Sequence, residues 1–363
     1  MFRTLLLPLL LCLFCVPGRV EAQPSSLAPA RKKAVYGPDY YVSPSALDYT
    51  AAARAIVGDA STDYDRAERL YLWLCRNVTY DRSGQVRTAD ACWRRRTAVC
   101  QGYCELFYRL AETIGVRSKL VFGRCKHAGA YSKLEDHTWL SVDTEEGTIL
   151  LDPTWGAGGY VRGEFVRLRN PLLWFDVAPE WFIFTHQPKS HRRQCLDVDV
   201  SDEQFAALPY VTPMTALLGI EGKDALTRML AGGDALPIVM AHHSELLERL
   251  TIVDIPTTRH LVVDSTYTFV VDNPEADYML TIVNEGETIN QNLWSCVEPP
   301  AAEATLALAD TLQSAVSVPE PPASRSTLYS VAVTPHHRGR LTLALMPRVG
   351  VPILRHLVEY VVE

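Results

Sequence analysis

Beyond residue 22 the chain has no apolar run of the ~18 residues that a membrane-spanning helix requires, so no transmembrane span is expected in the mature chain. It has no basic excess either. Lys and Arg number 35 against 42 Asp and Glu, a formal net charge of −7, which gives no reason to expect a nucleic-acid partner. The one basic triplet, Arg94-Arg95-Arg96, reads as a solvated helix end. Past residue 22 there is no Cys-x-x-Cys pair and no Cys/His cluster at zinc-ligand spacing, which argues against a structural metal. The doublets His242-His243 and His336-His337 do not restore one, because adjacent strand residues point to opposite faces. No motif calls for a cofactor, and no internal repeat is evident.

What is present begins with an export signal over residues 1–22. Arg3 supplies the positive start, Leu5 to Val16 the apolar run, and Val20-Glu21-Ala22 the small-x-small cleavage pattern. A retained anchor is the other reading of this segment. The expected location is secreted, periplasmic or cell-surface. Of nine cysteines, Cys12 and Cys15 fall in the signal; the odd number left means at least one is unpaired in an unmodified monomer. Residues 23–45 are polar and contain proline, as a linker would.

At 363 residues and 48% hydrophobic, the chain can bury two cores. The expected division is 46–206 and 207–363. Ala46 to Val57 reads as an alanine-rich helix. A better one starts at Asp63, with Ala67, Leu70, Tyr71, Leu74 and Val78 as its stripe and Ser61 or Thr62 as cap. Trp73 is read as packing, and Asn77-Val78-Thr79 is a short match to a glycosylation acceptor. Thr88 to Arg96 forms a third helix.

The stretch from Ala98 to Gly123 organises the rest. Tyr103, Phe107, Leu110 and Ile114 recur at helical spacing, Gly115 stops the helix, and Val116 to Phe122 is of strand type. Cys100 therefore stands at a helix N-terminus, where the dipole and unpaired N–H groups favour a thiolate. An ordinary buried cysteine is the plainer alternative.

Two later segments supply a base and its orienter. His137 to Asp143 and Thr148 to Asp152 flank Glu145-Glu146-Gly147 as an antiparallel hairpin. With Glu145 and Glu146 at the turn, Leu140 faces Leu151 and Val142 faces Ile149. His137, Trp139 and Asp152 then share the other face, with His137 and Asp152 as diagonal neighbours. A slip of one residue would separate them.

This order of Cys, His-Thr-Trp and Asp-Pro-Thr-Trp-Gly resembles the transglutaminase-like superfamily, over Tyr64 to Leu196. Its branch containing the kyphoscoliosis peptidase and many bacterial secreted proteins has a "C-x-G-Y" variant, matched by Cys100-Gln101-Gly102-Tyr103. Leu140 departs from the Asn that many members carry there. The resemblance implies a papain-like core with Cys100 as nucleophile, His137 as base and Asp152 as orienter. Tyr80, in Tyr80-Asp81, would then join the Cys100 N–H as an oxyanion donor, or simply pack under the helix. His186-Gln187-Pro188 and Gln194-Cys195-Leu196 resemble the family's later motifs. His186 is read as structural rather than as a second base.

From about Tyr210 the character changes. A helical piece at Glu221 to Ala231 precedes short strands near 250–253, 267–271, 278–283, 328–333, 341–345 and 358–362, with a Pro/Ala-rich loop over 298–324. The expected fold is therefore α+β: a papain-like transglutaminase core followed by an all-β, Ig-like sandwich. The expected function is an exported cysteine enzyme that opens protein or peptide amides through a thioester, as peptidase, amidase or glutamine acyltransferase. Hydrolysis is favoured over crosslinking, because only Trp139 offers a wall to exclude water; Tyr103 is core and Trp155 falls on the opposite strand face. The alternative is a non-catalytic protein-binding module that keeps the fold. The partner is a protein or peptide in either case, and the oligomeric state is not legible.

Overall fold

The computed structural model describes residues 48–127, 133–240, 244–247, 249–274, 277–284, 287–289, 295–296, 327–349 and 353–363. The signal over 1–22, the linker over 23–45, the loop over 298–324 and His242-His243 lie outside the described residues.

Helices α1 (Tyr49–Val57) and α2 (Asp63–Asn77) begin where short polar side chains cap them, Asp48 on the Ala51 N–H and Thr62 on the Asp65 N–H. A two-residue bridge, β1 (Thr79–Tyr80), later pairs in parallel with β2 (Thr97–Ala98). Between them lies α3 (Ala89–Arg95), capped by Thr88 and ended by Arg96 in the left-handed region at φ 54°. Arg96 departs from the solvated reading of its triplet. Its guanidinium lies 4.7 Å from the Trp73 ring and 4.3 Å from the Trp93 ring, which are themselves stacked. Helix α4 (Cys100–Thr113) follows, burying Tyr103, Phe107 and Leu110 as its spacing predicts. Gly102 is needed in its first turn, since a Cβ there would sit 2.9 Å from the Val86 carbonyl oxygen.

Strands β3 (Arg117–Lys126), β4 (Leu134–Thr144) and β5 (Gly147–Leu151) form an antiparallel meander. Leu140 pairs with Leu151 and Val142 with Ile149, the register that the apolar alternation requires. All four are buried, each worth about 1.5–3 kcal/mol of apolar transfer. Helix α5 (Pro153–Ala157) leads into a two-stranded ribbon, β6 (Gly158–Val161) and β7 (Glu164–Arg167). A 3-10 turn (Pro171–Trp174) and α6 (Pro179–Phe182) bring the chain back as β8 (His186–Pro188), which pairs with β3. The sheet order is thus β5-β4-β3-β8.

Helices α7 (Asp202–Ala207) and α8 (Gly222–Leu230) precede β9 (Ile238–Val239) and α9 (Ser244–Leu247). The rest is strand: β10 (Thr251–Asp254), β11 (His260–Leu261), β12 (Tyr267–Asp272), β13 (Tyr278–Asn284), β14 (Glu287–Ile289), β15 (Ser295–Cys296), β16 (Leu328–Val333), β17 (Gly339–Pro347) and β18 (Arg355–Val362). They make one sheet in the order β10-β12-β16-β15 and another in the order β11-β18-β17-β13-β14, with β9 added to β18. Pairing is antiparallel except between β11 and β18. Phe269 of the first sheet meets Tyr360 of the second edge-on at 5.9 Å, so their inner faces pack. The chain thus joins a mixed α/β N-terminal region to a sandwich-like β region.

Candidate functional site

Pro153 decides the geometry of the site. Lacking an N–H, it ends β5 and starts α5, which makes Asp152 a helix N-cap rather than a strand residue. Its Oδ1 accepts the Thr154 and Trp155 amides at 2.8 and 3.2 Å. Its Oδ2 accepts Nε2–H of His137 at 2.8 Å and Nε2–H of His186 at 3.1 Å. His137 arrives from β4, and His186 from β8 on the far side of β3. Asp152 and both histidines are buried.

Aromatic rings close the cluster in. His186 stacks on Phe182 at 4.1 Å, and Trp155 lies 4.5 Å from His186 and 5.7 Å from His137. Trp155 is therefore on the His137 side, not the opposite face expected of a continuing strand, because the α5 turn swings it there. Trp139 is buried rather than lining an open channel; a Cβ on Gly123 would meet its Cη2 at 2.3 Å.

Charge follows from this packing. Burial opposes protonation of His137, but the Asp152 carboxylate and its hydrogen bond outweigh that and push the imidazole up to about 10. Burial works against the Asp152 carboxylate too, and the charge and hydrogen bond of His137, then His186, still hold it well below the usual range. His186 goes the other way: burial pushes it down to about 4 despite its bond to Asp152. At neutral pH the cluster is one imidazolium, one carboxylate and one neutral imidazole, whose Nδ1 takes the Thr185 hydroxyl at 2.8 Å.

Cys100 is the first residue of α4 and half-buried. Burial raises its thiol, but a hydrogen bond from His137, the His137 charge and the Thr138 backbone more than reverse this, so its pKa lies below the ordinary value. Cys75, Cys104 and Cys125 are pushed up by burial, and Cys92 up to about 12. All six cysteines whose state is described are free of disulfides. Tyr80 is half-buried, its phenol raised by burial and then by the charge of Cys100, which puts it near that thiol.

These contacts correct the expected chemistry. Among the described residues, the His/Cys/Asp/Glu group whose ligand atoms all lie within 4.8 Å of one another is His137, Asp152 and His186, and it contains no cysteine. A Cys100–His137–Asp152 catalytic triad, with the cysteine peptidase, amidase or acyltransferase activity and thioester hydrolysis it would support, is not what the compact cluster forms. The physical reason is the second histidine. Asp152 Oδ2 is divided between the imidazoles of His137 and His186, so the carboxylate that would orient His137 alone is built into a His-Asp-His cluster instead. His186 is the residue that sequence reasoning undervalued; the His-x-Pro match was its only signal. In kind, two imidazoles and a carboxylate suit a divalent ion. Here Oδ2 and both Nε2 atoms are engaged with one another in hydrogen bonds.

Residues 50–153 match the family profile described as Transglutaminase-like superfamily. Among solved structures, the chain is similar to a provisionally assigned cysteine protease from Cytophaga hutchinsonii, with 19% identity over 29% of this chain and 36% of that one, at a TM-score of 0.26. It is also similar to a protein described as a TGase, with 17% identity over 33% of this chain and 32% of that one, at a TM-score of 0.25. The chain thus spans about a third of the length of these two structures. No curated protein matches it.

Proposed function

We propose that the chain is a non-catalytic member of the transglutaminase-like superfamily, whose profile residues 50–153 match, and that it acts as a protein-binding or scaffold module that keeps the family's fold without turnover. One observation carries this reading: Asp152 is shared by His137 and His186 inside a buried aromatic cluster that contains no cysteine. A carboxylate held by four hydrogen bonds makes a rigid floor. The proposal keeps Cys100, His137 and Asp152 as site residues, with Cys100 at the rim towards a partner protein and the other two in the floor. It also keeps the finer assignments: a papain-like core over 46–206, an Ig-like sandwich over 207–363, export by the 1–22 segment, and the kyphoscoliosis-peptidase-like branch, supported by Cys100-Gln101-Gly102-Tyr103.

The test offers the full chain a glutamine-containing peptide with excess labelled primary amine and follows both products by mass spectrometry. Neither amine incorporation nor free acid should rise above the protein-free control. Low-dose iodoacetamide should nonetheless label Cys100 ahead of Cys104 and Cys125, and lose that preference in His137→Ala. Either product, abolished in Cys100→Ser, would sink the module reading.

A further inference from the structure

The β6–β7 ribbon takes no part in the buried cluster, yet it is held beside it. Its turn is Arg162-Gly163, two consecutive residues at φ 52° and 91°, the two-residue hairpin turn that matches strand twist. Gly158, at φ 117°, lets the strands meet, since a Cβ there would fall 2.1 Å from the Val166 carbonyl oxygen. The Arg167 guanidinium donates to the carbonyls of Cys75 and Val78, pinning the ribbon to the end of α2. The Tyr160 hydroxyl donates to the Tyr80 carbonyl at 3.1 Å, which ties it to the neighbourhood of Cys100.

Three observations make it a surface rather than a strut. Among the described residues β6 and β7 pair only with each other, which leaves an open backbone edge on each side. Apolar side chains stand out from it: Tyr160 is 41% exposed, Val161 56% and Val166 49%. Gly159 lies opposite Val166, with open space where its side chain would be. The charge is also the reverse of the chain's. Residues 158–169 carry three arginines and one glutamate in a protein of net charge −7, and Arg82 adds a guanidinium 5.1 Å from the Tyr160 ring.

We propose that this ribbon takes an extended acidic segment of a partner protein as a third strand. Main-chain hydrogen bonds along the open edge supply affinity, an apolar side chain of the segment fills the space over Gly159, and its carboxylates meet Arg82 and Arg162. This rests on the binding-module reading and gives that partner its chemistry.

Fluorescence anisotropy with the full chain tests it, using a labelled Asp-Val-Asp-Val-Asp-Val peptide and its Lys-Val-Lys-Val-Lys-Val counterpart. The acidic peptide should bind at least ~10-fold tighter, with an affinity that falls as salt rises. Arg162→Glu and Val166→Asp should each weaken it by about 10-fold. In the unaltered chain, the peptide should slow amide exchange across residues 158–167. Equal binding of the two peptides, unchanged binding in both variants, or no exchange protection overturns the proposal. Self-association abolished by Val166→Asp gives the edge to a second copy and overturns it as well. The turnover assay remains separate: a chain that binds neither peptide and makes no product loses only the ribbon proposal, whereas product formation removes the module reading.

Discussion

The sheet β5-β4-β3-β8 closes over a buried charge, whereas Thr281 and Asn284, buried polar side chains of the sheet β11-β18-β17-β13-β14, are neutral. At the end of the first, Asp152 is buried as the α5 N-cap and accepts four hydrogen bonds, two of them from imidazoles on separate strands. In the second, Thr281 and Asn284 lie on β13 among buried apolar neighbours, yet Thr281 Oγ1 and Asn284 Oδ1 have no partner among the described residues. The lesson concerns the cost of rearrangement. A charge withdrawn from water must be answered by an organised network, and that network is then difficult to alter. A neutral hydroxyl left unpaired costs far less than an unpaired charge, so it can be tolerated without such a network.

The sharpest way to break the comparison is Asp152→Ala. It removes the counter-charge that keeps His137 protonated and leaves two imidazole N–H groups and the Thr154 and Trp155 amides without their acceptor, so urea unfolding should show a loss of about 3–5 kcal/mol. A loss below about 1 kcal/mol would put the two sheets on the same footing. Next is Gly123→Ala, whose Cβ would fall 2.2 Å from the Gln187 carbonyl oxygen and 2.3 Å from Trp139 Cη2. Separating β3 from β8 in this way should cost about 1–3 kcal/mol.

The third test is pH. His186 titrates near 4 when folded and in the ordinary imidazole range when unfolded, so between these the unfolded chain binds the extra proton. Stability should therefore fall on acidification from about pH 6.5, by about 1.4 kcal/mol per pH unit, until about pH 4. His137 adds nothing in that window, being protonated in both states. Its contribution is present below the ordinary imidazole pKa and drains away as pH rises towards about 10. His186→Gln should flatten the acid limb while leaving the alkaline one. The smallest effect belongs to the second sheet: Thr281→Val removes an unpartnered buried hydroxyl and should leave stability unchanged or raise it by up to about 1 kcal/mol.

Much of the site's frame was legible along the chain. The caps at Thr62 and Thr88, the α4 stripe through Tyr103 and Phe107, and the Leu140–Leu151 and Val142–Ile149 register follow from local spacing, since period alone reports which face is buried. Trp155 was misplaced because Pro153 converts a strand end into a helix start. β8 and the β6–β7 ribbon were absorbed into an undivided aromatic stretch, because three- and four-residue strands carry too little alternation to declare themselves.

By itself, then, the sequence determined that His137 and Asp152 share a hairpin neighbourhood and that Cys100 opens a helix beside them. Those are consequences of periodicity and of one turn, both local. Only the tertiary structure decided what the carboxylate does. It brought His186 to Asp152 across 34 residues by pairing β8 with β3, and shut both histidines among Phe182, Trp155 and Trp139. Burial and the shared carboxylate then divided the two imidazoles into one that keeps its proton and one that gives it up. That division depends on dielectric surroundings and on a second partner for one oxygen atom, and neither is written in the order of residues near Cys100.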